Sequence, residues 1–161
     1  MFCSRSFTAE DAEDAESGAV MKINEVTDCI INSAMKVHSA VGPGLLEKAY
    51  DVCLAYELSV RNLHFERQVR LPVTYHGIRL DPGFRVDYMV ENCVLVELKA
   101  VEKVHPVHSA QLLSYLKLSG LSVGLLINFN VVHLRDGIHR RVNNYRPEEE
   151  SDPRRPPRPL R

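Results

Sequence analysis

The sequence has no long apolar run, no closely spaced pair of cysteines and almost no net charge, and each absence argues against a class of protein. No apolar stretch approaches the roughly 18 residues of a membrane-spanning helix, and the first residues lack the apolar core of a secretory signal. Four cysteines in 161 residues form no Cys-x-x-Cys pair, which argues against disulfides and a zinc site. We therefore expect an intracellular, cytoplasmic protein.

The net charge of −1 hides an uneven distribution along the chain. The first 20 residues contain five acids and one arginine, whereas residues 146–161 contain five arginines and four acids. The first segment is small and polar and the last is rich in Pro and Arg, so both are predicted to be disordered. Residues 21–145 have the length of one domain, and their charge is too weak to indicate a nucleic-acid partner by itself.

The spacing of apolar residues between these two ends predicts an α/β fold. The predicted elements are helices at 24–41 (with Asn24 as cap) and 45–58, strands at 65–74 and 78–80, a strand hairpin at 83–100, a helix at 104–118, and strands at 122–128 and 138–142. This order predicts a meander of three strands and a helical crossover to a fourth, in a mixed sheet covered by helices.

The hairpin at 83–100 is the most informative stretch, because it places three charged residues among apolar ones. Asp87 lies on its first strand, and Glu97 and Lys99 share one face of its second strand. Burial of a charge costs several kcal/mol unless the charge is paired or holds a metal. The two carboxylates and the lysine could satisfy one another, or they could hold a cation.

The length of the hairpin loop decides whether the two carboxylates can meet. The sequence predicts a tight turn at Glu91 and Asn92. A two-residue turn there would pair Asp87 with Val96 and leave Glu97 on the opposite face. A three-residue loop, or a bulge, pairs Asp87 with Glu97 instead. A shared metal site therefore predicts an odd loop or a bulge.

The chemistry of these residues suits a magnesium site. Mg²⁺ prefers oxygen ligands and keeps several waters, so Asp87, Glu97 and the backbone carbonyl of Leu98 form a sufficient set. A cation there would activate water for attack on a phosphodiester, and Lys99 would orient that water or stabilise the developing charge. The alternative is an ordinary arrangement, with Glu97 and Lys99 on a solvated face and Asp87 in a salt bridge.

Three motifs together resemble the PD-(D/E)xK nuclease superfamily. Asp87 followed by Glu97-Leu98-Lys99 on a hairpin between helices matches its central motif, with Val86 in place of the leading proline. Gln111-Leu-Leu-Ser-Tyr115 resembles the Gln-x-x-x-Tyr motif of its exonuclease branch. Gly44-Leu-Leu-Glu47-Lys-Ala-Tyr50 resembles the signature of the GxxExxY proteins within it. The resemblance covers about residues 23–143.

The resemblance implies a restriction-endonuclease-like core, α-β-β-β-α-β, with an extra N-terminal helix. It implies hydrolysis of phosphodiester bonds with Mg²⁺ or Mn²⁺ in nucleic acid, and we expect DNA as the substrate over RNA. The small body and modest charge indicate that a homodimer or a partner protein completes the substrate groove. The implied metal ligands are Glu47, Asp87, Glu97 and Leu98; the implied catalytic residues are Asp87, Glu97, Lys99 and Gln111; Tyr115 and Tyr50 would position the substrate.

Several alternatives remain open for the same residues. Glu47 could be an exposed helical charge paired with Lys48 or Asp51, both tyrosines could be core aromatics, and Gln111 could cap a loop. A metal site made from the four histidines at 105, 108, 133 and 139, or a Cys93 nucleophile, has weaker support. The main rival to an enzyme is a binding module that keeps the nuclease scaffold without efficient turnover. The second is a structural protein whose carboxylates only pair with lysines.

Overall fold

Residues 20–80 and 84–146 are described by a computed structural model, and they contain three α-helices and seven β-strands. The elements are α1 Ile23–Val41, α2 Glu47–Val60, β1 Phe65–Arg70, β2 Val73–Tyr75, β3 Ile78–Leu80, β4 Arg85–Val90, β5 Val94–Lys99, α3 Pro106–Ser119, β6 Val123–Asn128, a 3₁₀ turn Leu134–Gly137 and β7 Ile138–Val142. The disorder predicted at the two ends falls almost entirely on residues outside these ranges.

Five strands form one mixed sheet in the order β1-β4-β5-β6-β7. The strands β1, β4 and β5 are an antiparallel meander, α3 crosses over to β6, which runs parallel to β5, and β7 returns antiparallel. This arrangement confirms the predicted α/β core with its three-strand meander, helical crossover and extra N-terminal helix.

The predicted strand at 65–74 is two strands. It ends at Arg70, and chain pairing resumes at Val73 in a separate two-stranded hairpin, β2–β3. Pro72 lies in the gap, where its missing N–H makes it unsuitable for a continuous ladder. The turn predicted at His76 and Gly77 is present, with both residues at positive φ.

The sheet separates two hydrophobic layers. On one face α1 and α2 pack against Tyr88, Val96 and Leu125, and on the other face α3 packs against Leu95 and Leu126. All six residues of β6 are buried, so its sequence is continuously apolar until Asn128 instead of alternating. No helix in the described part of the chain has the length and apolar character that a membrane crossing requires.

The start of α1 differs from the prediction, because Asn24 is not its cap. The helix begins at Ile23, and the backbone N–H of Lys22 donates to the Glu25 side chain at 2.9 Å. The Asn24 side chain instead accepts a hydrogen bond from Arg140 on β7, at 2.9 Å. The Asn24 amide, which was expected to cap the helix, is therefore used in a tertiary contact with β7.

Candidate active site

The β4–β5 hairpin has the odd loop that a shared carboxylate site requires. Its pairs are Tyr88 with Val96, Met89 with Leu95 and Val90 with Val94, which leaves the three residues 91–93 in the loop. One further step in this register places Asp87 opposite Glu97. Two loop residues, Glu91 and Asn92, adopt positive φ, and the Cys93 N–H closes the turn on the Val90 carbonyl at 3.0 Å.

The Asp87 carboxylate lies where the β4–β5 ladder ends, and both of its oxygens accept hydrogen bonds. The Leu98 N–H donates to Oδ2 at 2.8 Å, and the Gln68 side-chain amide donates to Oδ1 at 3.0 Å. Each oxygen keeps a second lone pair for another partner. The carboxylate therefore replaces a missing strand partner and is held from two sides.

The Glu97 carboxylate is buried and only half satisfied. Lys99 Nζ donates to Oε1 at 2.9 Å, whereas the buried Oε2 accepts no hydrogen bond from the described residues. The residue is 5% exposed. Burial, and then the charge of Asp87, raise the pKa of Glu97 to about 7, and the Lys99 ammonium only partly opposes this effect. A buried carboxylate with a free oxygen is poised to accept a cation or a proton.

Lys99 stays charged in spite of its surroundings. Burial disfavours its ammonium, but the hydrogen bond and charge of Glu97, together with the charges of Glu47 and Asp87, outweigh burial and raise the pKa of Lys99 above its usual value. A lysine in this state donates hydrogen bonds and stabilises negative charge, and it is not suited to act as a base at neutral pH.

Glu47 approaches the same place from the helical layer. It is the first residue of α2, and it lines an open cleft of about 310 Å³ beside Asp87 and Leu98. The remaining lining residues are Lys48, Asp51 and Gln68. The Leu98 carbonyl points to the cleft side of β5, since the N–H of the same residue bonds to Asp87 and both groups of an extended residue point the same way.

Tyr50 is placed in the core and not on the cleft. Its ring is fully buried and stacks on Phe129, with the ring centroids 4.5 Å apart. Its hydroxyl donates to the Gly42 carbonyl at 2.7 Å and accepts from the Leu45 N–H at 3.1 Å. These contacts fix the turn before α2, in which Gly44 has a φ of 96°. In the Gly-x-x-Glu-x-x-Tyr pattern, Gly44 therefore forms the turn, Glu47 lines the cleft, and Tyr50 holds the turn through its hydroxyl.

Gln111 and Tyr115 lie on α3, on the opposite layer. The Gln111 amide donates to the Tyr115 hydroxyl at 2.6 Å. Burial, and then the negative charges of Glu97 and Asp87, raise the pKa of Tyr115, so its hydroxyl lies within electrostatic range of the carboxylates. The pair lies on the α3 side of the sheet and is not among the residues that line the cleft.

The donor set suits a hard divalent cation held by few protein ligands. Two carboxylates meet at the end of the ladder, one with a free buried oxygen, and Leu98 supplies a carbonyl. Among residues 20–80 and 84–146, no three His, Cys, Asp or Glu side chains converge closely enough to hold a metal by themselves. Glu47 therefore faces the cleft without joining Asp87 and Glu97 in one ligand cluster, and the four histidines form no metal site.

Sequence reasoning missed a cluster next to the cleft. The buried Tyr88 donates its hydroxyl to Asp51, whose backbone oxygen is 2.6 Å away, and Arg67 forms an ion pair with the same aspartate. Burial, and then Asp51, raise the pKa of Tyr88. Asp51 follows Glu47 by four residues on one helical face, and this spacing was the available signal. Gln68 carried no such signal.

Comparison with protein families gives a match over most of the chain. The family model of the PD-(D/E)XK nuclease superfamily matches residues 24–141. The chain belongs to this superfamily. Membership indicates a nuclease scaffold of the restriction-endonuclease type, which agrees with the mixed five-stranded sheet between helices. Searches of curated proteins and of solved structures gave no significant match.

Proposed function

We propose that this superfamily member is a divalent-metal-dependent nuclease of the GxxExxY type that hydrolyses phosphodiester bonds in nucleic acid, with DNA preferred over RNA. The observation that supports this most is the buried Glu97–Lys99 pair beside Asp87, which lines an open cleft, with a buried Glu97 oxygen left free. Burying a carboxylate beside a second carboxylate is costly in a protein whose only need is stability.

The residues divide the work by their chemistry. Asp87, Glu97 and the Leu98 carbonyl would hold Mg²⁺ or Mn²⁺, with Glu47 acting from the cleft wall through water. The cation, when bound, supplies a Lewis acid and an activated water. The Lys99 ammonium stabilises the charge that develops on the phosphoryl oxygens. Gln111 and Tyr115 fix the α3 side of the site and position the substrate or Lys99.

A pair of arginines supports a polyanionic substrate. Arg70 and Arg85 are exposed and lie directly opposite each other on β1 and β4. Neither has an acidic partner at ion-pair distance within the described ranges. Like charges directly opposite each other destabilise a sheet, so a phosphate backbone would relieve their repulsion.

If each arginine contacts one phosphate of duplex DNA, each contact contributes to the slope of log K for DNA binding against log salt concentration. Arg70→Gln and Arg85→Gln should each make this negative slope smaller in magnitude by about 0.9.

The direct test is cleavage of end-labelled single- and double-stranded DNA and RNA of one sequence, with Mg²⁺, Mn²⁺ or chelator. We expect metal-dependent cleavage by the wild type, none by Glu97→Gln, and wild-type cleavage by the matched control Glu57→Gln. Faster cleavage of RNA would reverse the substrate preference. Cleavage that survives in both Glu97→Gln and Lys99→Met would show that the assigned site is wrong.

The second candidate is a nuclease-fold binding module without efficient turnover. The lack of a three-carboxylate cluster among the described residues favours it. It predicts nucleic-acid binding with the same arginine dependence and no metal-dependent cleavage.

We also propose that a homodimer or a partner protein completes the substrate groove. Light scattering on the active protein checks the dimer, and a fully active monomer acting alone would contradict both forms of this proposal.

A further inference from the structure

Gln68 has an unusual backbone for the middle of a strand. Its φ is +53°, in the left-handed region, although it lies between the paired residues Arg67 and Val69 of β1. Other described non-glycine residues with positive φ, such as Asn62, His76 and Asn92, lie in turns. An L-residue in this region is strained unless the surrounding structure requires it.

The strain coincides with a change of face along β1. Phe65 packs in the layer under α1 and α2, and Arg67 pairs with Asp51 of α2. Val69 and Leu71 pack instead in the layer under α3. Simple alternation would place these odd-numbered residues on one face. The backbone therefore switches faces at Gln68.

The partner strand β4 switches at the same level. Tyr88 packs under α2, and Val86 packs under α3. The register places Gln68 opposite Asp87, yet this pair is missing from an otherwise continuous ladder. In its place, the Gln68 side chain donates to Asp87 Oδ1 at 3.0 Å and lines the cleft.

Building on the proposed function, we infer that Gln68 is a positioning residue, whose left-handed backbone turns its amide into the cleft to hold the Asp87 carboxylate in its metal-binding orientation. Its amide and the Leu98 N–H grip the two oxygens of Asp87 from opposite sides. A change of face alone would be served better by glycine, which adopts positive φ without strain. A strained glutamine is explained by what its side chain does.

The key variant is Gln68→Gly, which keeps the backbone conformation and removes only the amide. Its unfolding midpoint without metal should stay near that of the wild type. Asn62→Gly is the matched control, because it makes the same change at a φ of 57° in the turn after α2, away from the cleft. Partners that orient metal ligands typically change metal affinity by 10- to 100-fold. We expect the Mn²⁺ dissociation constant to rise by about that factor in Gln68→Gly and to stay unchanged in Asn62→Gly.

A second readout needs no metal. The Leu98 amide should exchange its hydrogen at least about 10-fold faster in Gln68→Gly, because its acceptor Asp87 is no longer held. Unchanged exchange would overturn the inference, and so would faster exchange with an unchanged Mn²⁺ dissociation constant. If Leu98 exchanges faster in Gln68→Gly but the wild type binds no Mn²⁺, Gln68 does hold the Asp87 carboxylate in place. The same result would refute the proposed metal-dependent nuclease.

Discussion

Two carboxylate–lysine pairs in this chain look alike in composition and differ in surroundings. Glu57 on α2 pairs with Lys36 on α1 at 3.0 Å, and Glu97 pairs with Lys99 at 2.9 Å. Both glutamates are buried. The Lys36 side chain is 60% exposed, whereas that of Lys99 is 15% exposed. The first pair joins two helices, and the second lies beside Asp87 at the end of a strand ladder.

The difference shows what distinguishes a structural pair from a candidate catalytic one. An exposed lysine brings water and mobility to the pair with Glu57, so that pair is ordinary. At Glu97 the lysine is largely buried as well, and a second carboxylate adds repulsion that the lysine does not cancel. The excess negative charge at Glu97 and Asp87 is the physical reason to expect a cation at one pair and not at the other.

The largest expected effect is on cleavage. Glu97→Gln and Lys99→Met should each lower kcat by about 100- to 1,000-fold or more, as the loss of one preorganised electrostatic group does. Glu57→Gln and Lys36→Met should stay within about twofold of the wild type. Single-turnover cleavage of labelled DNA at saturating protein measures this. Equal losses in both pairs would indicate a general effect on folding.

The pH dependence of stability separates the pairs next. The pKa of Glu97 rises from its ordinary 4.5 to about 7 on folding. Between these values the native state binds more protons than the unfolded state, so the free energy of unfolding without metal should fall as the pH rises, by about 3 kcal/mol from this group. Urea unfolding between pH 4.5 and 8 should show this fall in the wild type and in Glu57→Gln, and a flatter profile in Glu97→Gln.

Metal should reverse that loss. Mn²⁺ at a hundredfold excess over its dissociation constant should stabilise the wild type by about 2.7 kcal/mol at neutral pH. Glu57→Gln should keep this stabilisation, and Asp87→Ala should lose it. Thermal melting with Mn²⁺ and with chelator is sufficient. If Mn²⁺ raised the melting midpoint of Asp87→Ala as much as that of the wild type, the cation would have to bind somewhere other than the cleft.

The smallest effect is the coupling within each pair. A double-mutant cycle on Lys36 and Glu57 should give less than about 1 kcal/mol, because one partner is mostly in water. The cycle on Lys99 and Glu97 should give more, because both side chains are largely excluded from water. Chemical denaturation of the four variants in each cycle measures both values, and a larger coupling for Lys36 would undo the comparison.

Much of the fold was predictable because its signals are local. Helical spacing located α1 to α3 within about two residues. The tight turn predicted at Glu91 and Asn92 is a three-residue loop at 91–93, which only the requirement that Asp87 meet Glu97 had indicated. The division of 65–74 into β1 and β2 was missed, although Pro72 pointed to it. The capping role expected of Asn24 failed because Arg140, far away in the chain, takes its side chain. Contacts of this kind have no local signature.

The sequence by itself determined the order of elements and the presence of Asp87, Glu97 and Lys99 in an apolar hairpin, because periodicity and composition are properties of neighbouring residues. Only the tertiary structure decided the burial and the hydrogen-bond partners of these charged side chains. It buried Tyr50 behind the turn, left Glu97 with a free oxygen, and set a strained Gln68 against Asp87. Burial and hydrogen bonding depend on residues that meet only when the sheet and its two helical layers assemble.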